Sequence, residues 1–242
     1  MINSIKLSER LKTIASFLPK GTVFADIGSD HAYLPCFVCL QDKTAKAIAG
    51  EVNEGPFNSA KDTVATCNLT SVIEVRLGNG LQVINEKDEI KQLVIAGMGG
   101  ALIRMILEEG KKKLSSVQRI IAQPNVDARS VRKWLIEHRF MITNEAIIEE
   151  SGHIYEIIVA DKINIINPDN EDISEKQLLF GPLLMENKPK AFYSKWKLEY
   201  EKLQHVIEQM KKAKKVNEEK IIRYEFELQL IREVIEDEEN TQ

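Results

Sequence analysis

Residues Val23–Pro35, VFADIGSDHAYLP, decide how the chain is read. An apolar run ends in an acid, one glycine follows, and then come an acid and a histidine. Turns that cradle nucleotide phosphates after a first strand usually carry two or three glycines at fixed offsets. Asp30 and Ala32 stand where such a turn more often has glycine. The turn is therefore both glycine-poor and acidic.

Working outward, TVFADIG (22–28) is the first of five similar runs, with KAIAGEV (46–52), IEVRLG (73–78), QLVIAGMGG (92–100) and RIIAQPN (119–125). Several are apolar throughout, as parallel strands covered on both faces are. Helical patterns lie between them: Pro35 and Pro56 fall in expected first turns, and Asp127 can cap ARSVRKWLIEHRF. The alternation predicts a doubly wound α/β sheet. MITNEAIIEE and HIYEIIVAD, joined at Ser151-Gly152, leave no room for a helix and predict an antiparallel hairpin at the sheet edge. The leading helix, LSERLKTIASFL, has Leu7, Leu11, Ile14 and Leu18 at helical spacing and is expected to pack on the sheet or cover the site.

The last third differs. NPDNEDISEKQ (167–177) reads as a linker. Beyond FGPLL, Tyr200, Leu203, Ile207 and Met210 step by three and four, as do Ile221, Tyr224, Leu228, Ile231 and Ile235. That is a coiled-coil seam, and KKAKKVNEEK between the two patterns turns the chain into an antiparallel helical hairpin. The expected division is 1–162 for the α/β domain and 163–242 for linker and coiled coil.

With 242 residues and 43% hydrophobic content, one large domain or a domain with an appendage can bury a sizeable core. A net charge of −4 gives no global sign of nucleic acid, so any polyanion must meet local basic patches. No signal peptide and no membrane-spanning run are expected. Three cysteines make no disulfide framework, which points to the cytoplasm. Cys36 and Cys39 form a CxxC, but a structural zinc site needs a second pair, and within CFVCL the two thiols read as core; no metal is expected.

Ligands of open α/β sheets bind beyond the carboxyl ends of the strands. Five polar or glycine clusters fall there in order: Asp26 to His31, Glu51, Gly78-Asn79-Gly80, Ala96 to Gly100, and Gln123-Pro124-Asn125. Glu51 is placed to accept hydrogen bonds from both ribose hydroxyls of a nucleoside, which suits NAD and S-adenosyl-L-methionine (SAM) alike. The first turn separates the two. A pyrophosphate wants the glycine-rich amide cradle and is repelled by carboxylates. SAM brings a sulfonium and an ammonium, for which Asp26, and in one reading Asp30, are attractive. Gly28 lets the backbone approach the methionine moiety, and Asn79 can accept a bond from the adenine amino group. Plainer readings stand beside these: Asn79-Gly80 as a turn, Glu51 as a solvated acid, His31 as a helix-terminus histidine, and Asp30 as a helix cap or cofactor contact.

Taken together, ADIGSDHAYLP, GEVNEGP, GNGL, IAGMGG and AQPN resemble the bacterial tRNA adenine-22 N1-methyltransferases, the TrmK family. The resemblance spans nearly the whole chain. It implies a class I SAM-dependent methyltransferase (Rossmann-like) fold with a C-terminal coiled coil, and tRNA as the substrate. Carried over by motif, the cofactor pocket falls on Asp26, Gly28, His31, Glu51, Asn79, Gly80, Ala96, Gly97, Met98 and Gly99. The base-binding and catalytic region falls near Asp30, Met98 to Gly100, and Gln123 to Asn125. AGMGG replaces the (N/D)PP(Y/F) segment of amino-methylating enzymes and leaves room for a base edge. Adenine N1 has an in-plane lone pair, so alignment and charge stabilisation suffice; Asp30 is the expected carboxylate, with Asn125 or Gln123 orienting the base. Candidate tRNA anchors are Lys111–Lys113, Arg129, Arg132, Lys133, Arg139, Lys211, Lys212, Lys214 and Lys215. Alternatives are a methyltransferase acting on a small molecule or protein, and a non-catalytic SAM-sensing RNA-binding protein. Oligomeric state is left open, with the balance toward a monomer.

Overall fold

A computed structural model describes residues 5–163, 173–213 and 216–239. The chain divides into two compact units, Met1–Leu183 and Leu184–Gln242.

The first unit is built on a seven-stranded sheet. Strands β1 (Val23–Ile27), β2 (Lys46–Glu51), β3 (Ile73–Leu77), β4 (Gln92–Met98) and β5 (Arg119–Pro124) are parallel, and β6 (Phe140–Glu150) and β7 (His153–Lys162) form the antiparallel edge. The order is β3-β2-β1-β4-β5-β7-β6. Consecutive strands run one way from β1 to β3 and the other way from β4 onward, so the chain reverses at β1 and β4, where a ligand crevice opens.

The apolar runs are continuous because both faces are covered. Ala25, Ile27, Leu93, Ile95 and Ile120 pack under α4 (Gly100–Glu109) and α5 (Ala128–Glu137). Phe24, Ala47, Val94 and Ile121 pack under α1 (Glu9–Ser16), α2 (Tyr33–Gln41) and α3 (Glu54–Thr66). Cys36 and Cys39 are buried in this second layer, where burial pushes their thiols up to about 12 and about 11. Thiols held protonated in an apolar layer behave as core residues. Asp127 caps α5 through Ser130 N–H at 3.2 Å.

The hairpin turn takes left-handed φ at both Ser151 (53°) and Gly152 (78°), the twist that a two-residue connection requires. Its register pairs Ala122 with Ile158, so the remainder of β7 runs past the end of β5 and lifts Tyr155 to the level of the carboxyl edge.

One expectation is corrected here. Arg132, proposed from its basic neighbours as a tRNA anchor, is 0% exposed. Its Nε donates to Glu145 Oε1 at 2.7 Å, its Nη2 to Glu156 Oε2 at 2.5 Å, and its Nη1 to the carbonyls of Leu178 and Leu179 at 3.2 Å. Those carbonyls lie in α6 (Glu175–Phe180), which is thereby fixed within the first unit. Much of the linker, 164–172, lies outside the described residues.

Helix α7 (Pro182–Asn187) spans the boundary, and the second unit continues with α8 (Lys190–Lys212) and α9 (Glu218–Glu239). Lys197 pairs with Glu238 and Lys211 with Glu225, both at 2.7 Å, and Arg232 Nε donates to the Tyr200 hydroxyl at 3.3 Å. Pairs that descend in one helix as they rise in the other define an antiparallel hairpin. Ile207, Ile221 and Ile231 of the expected seam are buried, with Val234 beside them. Lys214 and Lys215 lie outside the described residues. No helix among those described is long and apolar enough to cross a membrane.

Candidate functional site

At the end of β1, Asp26 is 4% exposed, and no donor among the described residues hydrogen-bonds its carboxyl. Burial and then the charge of Glu51 push its pKa up to about 7, with Arg10 pulling the other way. A buried carboxylate is ordinarily paired or hydrogen-bonded. This one has no such partner among the described residues.

The turn that follows is built without a glycine cradle. Gly28 (φ 70°) and Ser29 donate to Gly50 O at 2.8 and 3.2 Å. A Cβ on Gly28 would lie 2.3 Å from Met98 Cε, so the glycine makes room for the Met98 side chain. Asp30, His31 and Ala32 then adopt left-handed φ of 41°, 66° and 56° in succession. Each costs of order 1 kcal/mol outside glycine, and such strain collects at ligand-binding turns. Glu51 helps to hold the turn in place: its Oε1 accepts the Asp30 amide at 2.5 Å and the Ser29 hydroxyl at 3.3 Å.

Glu51 itself is 6% exposed, and burial raises its pKa against those two donors. Its Oε2 accepts nothing from the described residues. Asp30 does not cap α2, whose N-cap is Ala32 without a side-chain bond. The Asp30 carboxylate is 82% exposed, 3.4 Å from His31 Nε2, and the His31 ring stacks on Tyr33 at 5.3 Å.

Beyond β3, Gly78 N–H donates to Glu51 O at 2.7 Å, linking this turn to β2. Asn79 is exposed and its side chain caps nothing, so its amide is available to a ligand. Gly80 takes φ 52° against Ile106.

The ends of β4 and β5 are locked together. A bulge between Ala96 and Met98 throws out Gly97 at φ 77°. Gln123 Oε1 accepts Gly97 N–H at 3.0 Å, Gln123 Nε2 donates to Asn125 Oδ1 at 3.0 Å, and Asn125 Nδ2 donates to Gly97 O at 2.9 Å. Asn125 N–H closes the bracket on Met98 O at 2.8 Å. Gly100 is required by close approach, since a Cβ there would stand 2.0 Å from Asp127 O. Gln123 is 0% exposed and engaged at both ends of its amide, so it shapes the glycine loop. Asn125 is exposed and keeps one N–H free.

Sequence reasoning missed two contributors. Arg10, on α1, hydrogen-bonds Gln123 Oε1 and lies over the Tyr155 ring at 5.2 Å. A lone arginine on an amphipathic helix gives no signal of this, and Tyr155 reads only as a strand residue. Asp26, Gly28, Glu51, Asn79, Gly80 and Ala96–Gly99 all line the carboxyl edge, as the strand ends dictate.

The donor set fits SAM. An orphaned buried carboxylate suits an ammonium or sulfonium, the free Glu51 oxygen suits ribose hydroxyls, and no phosphate cradle is present at the β1 turn. Among the described residues no group of three or more His, Cys, Asp or Glu is placed to hold a metal ion.

A profile of the family described as tRNA (adenine(22)-N(1))-methyltransferase, TrmK, matches residues 24–233. The Bacillus subtilis tRNA (adenine(22)-N(1))-methyltransferase is 44% identical over 237 residues, covering 97% of this chain and 99% of that protein. The crystal structure of the Bacillus subtilis enzyme superposes with a TM-score of 0.86 at 42% identity, covering 96% of this chain and 99% of that one. A Streptococcus pneumoniae protein solved in complex with S-adenosyl-L-methionine superposes with a TM-score of 0.82 at 39% identity, covering 95% and 100%.

Proposed function

The chain belongs to the tRNA (adenine(22)-N(1))-methyltransferase family, TrmK, and from that premise we propose how its acidic carboxyl edge methylates N1 of an adenine in tRNA. The observation that carries the assignment of roles is Asp26, a buried carboxylate without a protein donor at the reversal of the sheet. SAM supplies an electrophilic methyl group. Asp26 faces its positive charge, Glu51 Oε2 takes the ribose hydroxyls, and Asn79 takes the adenine amino group.

The substrate side is the glycine loop. Gln123 and Asn125 fix Gly97 and Met98, so the backbone is pre-organised before a base arrives. The target N1 lone pair needs no deprotonation. Methylation leaves positive charge on the ring and its 6-amino group, and a carboxylate beside that edge acts mainly in the transition state. Asp30 holds that position, and the free N–H of Asn125 orients the base. Gln123 is a positioning residue.

The first unit is the catalytic domain, and the helical hairpin extends its reach across tRNA by shape and phosphate contacts. Lys212 is exposed, whereas Lys133 pairs with Glu137 at 3.9 Å, Lys111 pairs with Glu108 and Lys113 donates to backbone carbonyls. A stacked adenine must be turned out of the tRNA body, at a cost of a few kcal/mol. A cytoplasmic monomer is the simplest setting for this activity.

Incubation with labelled SAM and unmodified tRNA transcripts should place one methyl group on N1 of adenine 22. Transcripts carrying guanine there should stay unlabelled; labelling elsewhere, or of neither RNA, would discard the substrate. Asp30→Ala should lower kcat by roughly tenfold to a hundredfold with SAM affinity unchanged. Full turnover in that variant removes Asp30 from catalysis.

A further inference from the structure

A stacked adenine that turns out of tRNA leaves a gap, and the bases on either side close it unless something takes its place. Proteins that distort nucleic acid fill such gaps with apolar side chains wedged between base steps. Val126 has the properties of such a wedge. It follows directly on Asn125, the residue that orients the base, and it is 69% exposed, the highest value among the exposed large hydrophobic side chains described.

A single exposed valine ordinarily means nothing. This one is set apart by how firmly its backbone is held. Asn125 N–H donates to Met98 O and Gly100 N–H donates to Val126 O, both at 2.8 Å. Asp127 takes a left-handed φ of 58°, and its carboxylate is committed to Ser130, 3.2 Å from the N–H and 2.6 Å from the hydroxyl. Three successive residues are thus pinned, and the apolar side chain stands in the middle. Its Cγ2 would lie 3.7 Å from a Cβ on Gly99, so it borders the glycine loop itself. Leu102, also exposed, is tied to the same loop by its N–H on Gly99 O at 3.0 Å. A β-branched side chain is stiff at χ1, and little of its freedom is lost when it is wedged.

We propose that Val126 enters the tRNA stack in place of the target adenine and keeps that base turned out while the methyl group is transferred. This rests on the reading of the glycine loop as the base site. An apolar knob suits the faces of stacked bases, whereas phosphates call for cations or N–H donors. A protein partner would need on the order of 1,000 Å² of interface, far more than a valine and a leucine offer. The wedge makes no hydrogen bond to a base edge, so it lowers the cost of turning the adenine out and leaves the choice of base to its neighbours. Val126 is in this sense a positioning residue.

The test places 2-aminopurine, a fluorescent base that brightens when it is unstacked, at position 22 of the tRNA transcript and adds protein loaded with S-adenosylhomocysteine. Wild-type protein should raise the fluorescence strongly. Val126→Ala should lose most of that rise, lower kcat on the adenine transcript by about tenfold, and keep its affinity for S-adenosylhomocysteine within about twofold. Val126→Ile, which keeps a stiff apolar wedge, should restore both the rise and the turnover. If Val126→Ala shows the full rise, Val126 does not hold the base out and the inference fails; a fall in turnover beside that rise would mark the side chain as a wall of the base pocket. It fails equally if Val126→Ile is as impaired as Val126→Ala. A wild-type protein that methylates the transcript with no rise in fluorescence overturns the wedge alone. One that neither binds nor methylates the transcript overturns the reading of the substrate.

Discussion

Replacing Arg132 by methionine should cost the first unit about 3–5 kcal/mol, read as a lowered midpoint in urea. The side chain is wholly enclosed, and so are the carboxyl groups of Glu145 and Glu156 that it bridges. Burial pushes the Glu145 carboxyl up, and the guanidinium opposes that shift. Methionine would fill most of the volume and leave two carboxylates facing each other without their cation. The loss should therefore shrink as pH falls, because the orphaned acids can take up protons. Arg132→Met combined with Glu145→Gln and Glu156→Gln should recover much of the stability, since exchanging a whole buried ion cluster for neutral groups is often close to neutral. If the single and triple variants unfold at the same urea concentration, lost packing and not stranded charge is responsible. Helix α6 should loosen first, because Leu178 and Leu179 surrender the donors on their carbonyls. Faster hydrogen exchange across 175–183 would register that.

The same residue shows where a sequence stops being informative. Within RSVRKW, Arg132 is one cation among several, and its partners lie 13 and 24 positions further on in two different strands. Nothing along the chain tells that the three meet. Arg10 was invisible for the same reason, joined to Gln123 across 113 positions. By contrast, the strands declare themselves because each parallel strand is apolar on both faces, and the hairpin because Ser151-Gly152 suits two left-handed residues. The strand-end clusters could be assigned to one edge because parallel pairing aligns their carboxyl ends; Ile27 sits beside Gly50 on one side and Ile95 on the other. Residue types at that edge were thus readable, while their hydrogen-bonding roles were not. Gln123 looked like a base contact until its burial and its three partners turned it into a bracket for Gly97.

SAM affinity should fall about thirtyfold when the pH is lowered from 7.5 to 5.5, because binding must expel a proton from Asp26. With a pKa of about 7, the carboxyl is largely protonated at pH 5.5, whereas a ligand carrying a sulfonium and an ammonium favours the ionised form. Below pH 7 each unit of acidification thus removes close to a factor of ten, and above it the affinity levels off. The ligand-free protein should show the opposite trend. Between the ordinary carboxyl value of 3.8 and about 7, the folded state holds a proton that the unfolded chain has lost. Stability from this group is therefore fully present below 3.8 and is lost as pH rises, by up to about 4 kcal/mol near neutrality. Asp26→Asn should stabilise the ligand-free protein at pH 8 and flatten the affinity profile. At that pH it should weaken SAM binding by roughly tenfold to a hundredfold, the range for a hydrogen bond to a charged group. 5′-Methylthioadenosine, which has no charge, should bind with little dependence on pH between 5.5 and 7.5. A wild-type SAM profile as flat as that of the neutral ligand would mean that Asp26 already ionises freely, and the account of a carboxylate kept in reserve for a cation would not stand.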